Sequence, residues 1–175
     1  WRDASDPTFI EYHLSTHQVL SLARSYGVSL TSLVIGAVMC AIRSEMPRRE
    51  RHRALRIDVP VDLRQVFEST TTKNFFGLAF VSYVPGDKDE TWEQVARHVH
   101  AQLQTATQAE NLKPRMNRMI ALEKNPFLRL APLFVKDFVL EFADRLAVRE
   151  TTTTVSNLGR IAIDEQLAPF VRDIN

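Results

Sequence analysis

The sequence predicts an α/β fold: one mixed β-sheet with helices packed against it. Three observations lead there. Residues 55–61 and 75–84 are rich in Val, Phe and Tyr, residue types that favour a pleated, half-buried surface. Residues 30–45 and 91–106 instead repeat apolar side chains at helical spacing. Read along the chain, the segments run β-α-α-β-β-α-α-α-β, an order that suits a single sheet carrying helices. With no internal repeat and no low-complexity tract, one domain over residues 1–175 is expected.

Each element follows from local chemistry. Thr8 to Leu14 alternates, with Ile10, Tyr12 and Leu14 on one side and Glu11 and His13 on the other, which predicts a half-exposed strand. Ser15 and Gln18 have the spacing of a capping box at a helix start, and Gly27 suits its left-handed end. The segment Leu30 to Glu45 is apolar nearly all round, which predicts a buried helix, and Pro47 stops it. Leu55, Ile57, Val59 and Val61 face one way along the next strand. Phe75 to Val84 is apolar on both faces, as a central strand covered by helices would be. Thr91 and Gln94 frame a helix whose Val95, Val99, Leu103 and Ala106 form a stripe. Pro114 and Pro126 are expected near the starts of two further helices, and Pro132 should break or kink the second. Thr151 to Val155 reads as strand from its β-branched content.

Composition limits the function classes. A chain of 175 residues can bury a real core, removing roughly 70% of its unfolded surface from water. A net charge of +1 gives no whole-molecule field towards nucleic acid or anionic lipid. The longest apolar run, Leu33 to Ile42, is too short for a membrane span. The start, Trp1-Arg2-Asp3, has neither the order of a signal peptide nor an initiator Met, so an excised piece of a larger protein is expected. The single cysteine, Cys40, excludes an internal disulfide and fits a reducing, cytoplasmic setting. Within its apolar helix it reads as a buried structural thiol.

Several clusters invite a functional reading. Arg48, Arg49, Arg51, His52, Arg53 and Arg56 form a basic run diluted by Glu45 and Glu50, which suits a solvated connection. The alternative is an electrostatic landing for phosphates. It contains no interleaved aromatic residue, which argues against a single-stranded nucleic-acid platform. His13 and His17 have metal-ligand spacing, yet Ser15 puts them on different elements and no third ligand converges, so no metal is expected. Ala23 and Gly27 are spaced like a helix-turn-helix, but residues 31–38 are too greasy for a recognition helix. Arg64 follows a strand that should be largely buried, and a buried guanidinium requires an acid such as Asp58 or Asp62. Ser156, Asn157 and Gly159 end a strand with turn chemistry.

Two segments, Arg56 to Arg64 and Thr154 to Ile161, resemble the C-terminal half of the alcohol acetyltransferase-like branch of the chloramphenicol acetyltransferase and condensation-domain superfamily. Lys73-Asn74-Phe75-Phe76-Gly77 and the stretch from Arg129 to Lys136 are similar to that branch too, and the resemblance runs from about Phe9 to Asp164. It implies a fold like the C-terminal subdomain of a chloramphenicol acetyltransferase-like enzyme. The intact enzyme would move an acyl group from acyl-coenzyme A, or a carrier thioester, to an alcohol or amine. Members carry a His-His-x-x-x-Asp-Gly motif in their N-terminal half. None of the five histidines here is followed by Asp at the matching position, so no catalytic residue is expected in this chain and the N-terminal half is the expected partner. By the same resemblance Arg64, with Asp62 beside it, would brace the catalytic loop, and Ser156, Asn157 and Gly159 would line the substrate tunnel. No permanently bound cofactor is implied; acyl-coenzyme A is the co-substrate. Two other classes stay open: a non-catalytic condensation-type binding module, and a helix-turn-helix regulator. If a partner half covers it, an apolar patch near Phe75, Phe76 and Leu158 is expected, with Arg64 at the exposed edge near Asn157.

Overall fold

The computed structural model describes residues 10–68, 70, 75–85, 90–126, 132–133, 136–137, 141, 151–157 and 159. Its elements are α1 (Thr16–Ser25), α2 (Leu30–Glu45), β1 (Leu55–Asp62), β2 (Phe76–Tyr83), α3 (Trp92–Ala106), α4 (Ala109–Lys124) and β3 (Thr153–Thr154). Single 3₁₀ turns occupy Arg48–Glu50 and Leu63–Gln65. The described strands form one mixed sheet in the order β2-β1-β3. β2 runs antiparallel to β1, from Leu55↔Tyr83 to Asp62↔Phe76, and β3 runs parallel to β1 at Ile57↔Thr153. The mixed α/β architecture expected from the sequence is the one observed.

The core lies between one face of the sheet and the pair α2 and α3. Ile35 and Met39 from α2 and Val95, Val99 and Leu103 from α3 meet Leu55, Ile57, Val59, Ala79, Val81 and Tyr83 from the strands. The two helices are in close contact at Gly36. A Cβ built there would lie 2.9 Å from the Ala96 Cα and 3.0 Å from its Cβ, so only glycine admits this approach. Helix α3 opens with the expected capping box, Thr91 and Gln94. Helix α1 ends as expected at Gly27, with φ of 69°. Val28 N–H reaches the Ala23 carbonyl at 3.0 Å and Gly27 N–H reaches that of Arg24, also at 3.0 Å. These bonds satisfy carbonyls that a helix end leaves orphaned.

Five expectations need correction. Residues 10–15 are irregular rather than a strand, since no described strand pairs with them and Ile10, Tyr12 and Leu14 are all exposed. Ser15 stands at the start of α1 without a side-chain capping bond. Among the described residues, β2 is covered by helices on one face only: its register sets Phe76, Leu78 and Phe80 opposite Asp62, Pro60 and Asp58 on the other face, where Phe76 is 57% exposed. Pro114 lies inside α4, which begins at Ala109, and so removes one hydrogen bond from the helix interior. The last strand shrinks to Thr153–Thr154, although Thr152 N–H to Arg56 O (2.8 Å) and Val155 N–H to Asp58 O (2.9 Å) extend its bonding on both sides. The helix expected from Pro126 and its break at Pro132 lie largely outside the described residues.

Two outcomes follow from this packing. Alanine in place of a helical glycine ordinarily stabilises by about 1 kcal/mol, but the clash with Ala96 backbone outweighs that gain. Gly36→Ala should therefore lower stability by about 1–2 kcal/mol, read as a lower urea midpoint at unchanged slope; a raised midpoint would contradict the contact. The second concerns Tyr83, whose hydroxyl accepts from Arg43 Nη1 at 3.3 Å. Burial first, then its hydrogen bond with Glu90, pushes its phenol up to about 12. A folded value above the ordinary one of about 10 means the unfolded chain loses this proton first, so stability should decline as pH rises from about 10 to 12. Absorbance titration should show a tyrosine ionising near pH 12 that disappears in Tyr83→Phe.

Candidate functional site

At its C-terminal end β1 turns sharply. Leu63 is buried and donates its N–H to Phe75 O at 3.1 Å. A Cβ on Gly77 would come within 3.2 Å of Leu63 Cδ2, so the glycine of the Phe-Phe-Gly segment gives this leucine room beneath β2. Asp62 caps the turn, accepting the Arg64 backbone N–H at 3.0 Å and its Nη1 at 3.4 Å. The pair is open to water, the side chains being 39% and 45% exposed. Asp58, the other candidate partner, accepts instead from Thr151 Oγ1 at 3.1 Å and 3.3 Å. Arg64 is thus not the deeply buried guanidinium that its place after a buried strand suggested.

The segment after β3 comes to the same edge. Asn157 Oδ1 accepts the Gly159 N–H at 2.9 Å, and Gly159 takes the left-handed backbone (φ 70°) that closes such a turn. The other end of that amide is committed as well, since Asn157 Nδ2 donates to Thr31 Oγ1 at 2.9 Å. Thr31 lies in the first turn of α2, so this bond ties the strand end to the helix start.

Three clefts meet at Asn157. One of about 300 Å³ is bounded by Pro60, Asp62, Arg64, Phe75, Phe76 and Ser156. A second, of about 410 Å³, has the aliphatic wall Leu14, Val19, Leu30, Val34 and Val155, with Thr31 and Ser156 at its rim. The third, about 360 Å³, lies among Thr31, Val59, Asp62, Leu103, Thr107 and Gly159. The structure thus brings Arg64, Asp62, Ser156 and Asn157 to one cleft and Gly159 to the next. Arg64 stands at the exposed edge near Asn157, and Phe76 is exposed beside it. Phe75 is half-buried there, and Leu158 lies outside the described residues. Sequence reasoning missed Thr31. The signal was a group of hydroxyls, Ser29, Thr31 and Ser32, opening an otherwise greasy helix.

The remaining clusters lie elsewhere. All of the basic run but Arg56 sits before β1, a full strand of eight residues from Arg64, or about 26 Å. Glu50 lies within 3.8 Å of Arg49 and 3.9 Å of Arg53. Helices α1 and α2 cross at 86°, close to a helix-turn-helix angle. However, α2 buries Ser32, Leu33, Ile35, Gly36 and Met39, so it cannot enter a DNA groove. His13 approaches Glu11 at 3.5 Å, and among the described residues no three potential ligands converge on a metal position. Cys40 is half-buried, and burial pushes its thiol up, away from the reactive thiolate. Among the described residues no single helix is long and apolar enough to cross a membrane.

Among the described residues, the clefts that meet at Asn157 lie at one edge of a mixed sheet with helices packed on it. Residues 13–165 match the family described as phthiocerol/phthiodiolone dimycocerosyl transferase C-terminus. The chain belongs to that family, and so to the C-terminal portions of acyltransferases. Among solved structures it is similar to polyketide synthase associated protein 5 from Mycobacterium tuberculosis, with 17% identity and a TM-score of 0.41. That match covers 59% of this chain and 30% of the other protein's length. Comparison with the curated proteins gave no match.

Because the Asp62–Arg64 pair is exposed, it should position the turn more than stabilise the fold. Asp62→Ala is expected to cost less than about 1 kcal/mol in thermal unfolding, while the Arg64 amide exchanges faster. A loss of several kcal/mol would mean the pair is buried.

Proposed function

We propose that this chain is the C-terminal subdomain of an acyltransferase that moves an acyl group from a thioester to a hydroxyl or amine. The observation that carries this reading is the meeting of Arg64 with Ser156 and Asn157 at one cleft, in a chain of a dimycocerosyl transferase C-terminus family. In this proposal acyl-coenzyme A or a carrier thioester is the donor, no cofactor is permanently bound, and the enzyme is cytoplasmic. An N-terminal half supplies a histidine that deprotonates the acceptor, so no covalent enzyme intermediate is needed. The present chain supplies one wall of the tunnel through Ser156, Asn157 and Gly159. Arg64, held by Asp62, braces the catalytic loop by pairing with an acid of that half. The sequence resemblance favours an alcohol acetyltransferase-like acceptor, and the family match favours a lipid-type acyl group. Acyl transfer is common to both.

A bidentate brace distinguishes arginine from lysine, whose ammonium is a point charge on a flexible stem. In the protein that joins this chain to a histidine-bearing half, Arg64→Lys should lower acyl-transfer turnover about tenfold or more. The fold, followed by circular dichroism, should be unchanged. The chain by itself should consume thioester no faster than buffer. Turnover by the isolated chain, or unchanged kinetics in Arg64→Lys, would refute these roles. No turnover in the joined wild-type protein would favour the non-catalytic binding module.

A further inference from the structure

Two of the three clefts share only two residues, and those two are hydrogen-bonded to each other. The aliphatic cleft of about 410 Å³ and the cleft of about 360 Å³ have Thr31 and Asn157 in common and nothing else. The Nδ2 of Asn157 donates to Thr31 Oγ1 at 2.9 Å across that boundary. On one side stand Val19, Val34 and Val155; on the other, Val59, Val61 and Leu103. The first side is aliphatic, whereas the second mixes its aliphatic residues with Asp62 and Thr107, so a tail that crosses the boundary meets a more polar lining. We infer that the Thr31–Asn157 hydrogen bond is a partition that sets how long an aliphatic chain this site accepts. The inference rests on the acyl-transfer reading above and adds a residue, Thr31, that decides specificity.

The occupant is a linear saturated chain with a polar head. The walls of the first cleft are branched aliphatic side chains without an aromatic face for stacking, while Thr31, Ser156 and Asn157 supply hydroxyl and amide groups at its rim. Its volume lies within the 300–1,000 Å³ typical of small-molecule sites. A tail growing along the aliphatic wall gains burial with each methylene until it meets the Thr31–Asn157 pair. To pass, it must break that bond. A single neutral hydrogen bond of this kind contributes about 1 kcal/mol, so the partition is a step that can be crossed, not a closed wall. Both ends of the Asn157 amide are used, one by Thr31 and one by Gly159. Releasing Thr31 therefore leaves the turn tethered on one side, free to swing out of the way.

The test uses the 175-residue chain and a homologous series of saturated fatty acids, from octanoate to palmitate, displacing a bound fluorescent fatty acid. In the wild type, affinity should tighten by up to about fourfold for each added methylene. At one chain length that trend should be interrupted by a step of about fivefold. Thr31→Val, which keeps the bulk and loses the hydroxyl, should remove the step, as should Thr31→Ala. Thr31→Ser should retain it. Asn157→Ala provides the same readout if the helix variants fail to fold by circular dichroism. A step that persists in both Thr31→Val and Asn157→Ala would overturn the partition while leaving an aliphatic site in place. A step lost only in Thr31→Ala would assign the limit to bulk and likewise overturn the role of the bond. If no fatty acid binds saturably, the acyl-site reading itself fails.

Discussion

The close approach of α2 to α3 at Gly36 and Ala96 is the contact on which the rest of the structure depends. With a Cβ at position 36 only 2.9 Å from backbone, the two helices are as near as side chains allow. That nearness lets both cover the same face of a narrow sheet. It also fixes where α2 begins. Ser29 and Ser32 share a 2.7 Å hydrogen bond there, and His100 of α3 accepts from the Ser29 N–H at 3.3 Å while lying 3.2 Å from Ser32 Oγ. Ser32 is fully buried, and its hydroxyl is satisfied by this pair of partners. A helix start anchored in this way places Thr31 where Asn157 can reach it. The site edge thus inherits its geometry from a glycine in the core.

A different kind of constraint governs the other side of that edge. Sheet register sets Asp62 against Phe76 and Pro60 against Leu78. The face opposite the described helices therefore carries aromatic, aliphatic and charged groups side by side. Arg56 lies 5.8 Å from the centre of the Phe80 ring, which gives that aromatic face a cationic neighbour. Asp62 and Arg64 pair in water, where the attraction is weak and the geometry matters more than the energy. Asp62 holds the Arg64 backbone N–H as well as its guanidinium, so the turn and the side chain are positioned together.

How much of this was legible depended on whether the cause was local. The helix Leu30–Glu45, the capping box at Thr91 and the stripe from Val95 to Leu103 are written in short-range periodicity, and they appear as expected. So does the left-handed end at Gly27. The alternation from Ile10 to Leu14 promised a strand, but alternation specifies only that a segment can pair. Without a described neighbour the segment stays irregular and exposed. The run from Phe75 to Val84 looked covered on both faces because composition cannot say how many layers lie over a sheet. Arg64 and the Ser156–Asn157 turn were legible as candidates through resemblance, and their adjacency follows from the parallel pairing of β1 with β3. Thr31 was not legible: its partner lies 126 residues away, and no periodicity encodes such a distance.

The two histidines of α3 take part in holding the fold together. His98 Nε2 lies 2.6 Å from Gln102 Nε2, so it accepts from an amide whose other contacts are the Ser82 N–H and carbonyl of β2. His100 Nδ1 accepts a backbone N–H, a donor that cannot reverse its role. Each ring therefore already spends a lone pair on holding helix to sheet or helix to helix. A general base needs such a lone pair aimed at the substrate proton, within hydrogen-bond reach. His100 is the histidine tied to the same first turn of α2 as Thr31. Through that bond His100 anchors the start of the helix whose Thr31 holds Asn157. The ring nitrogen of His100 thus serves the shape of the cleft, since the helix start it holds carries the hydroxyl that Asn157 reaches.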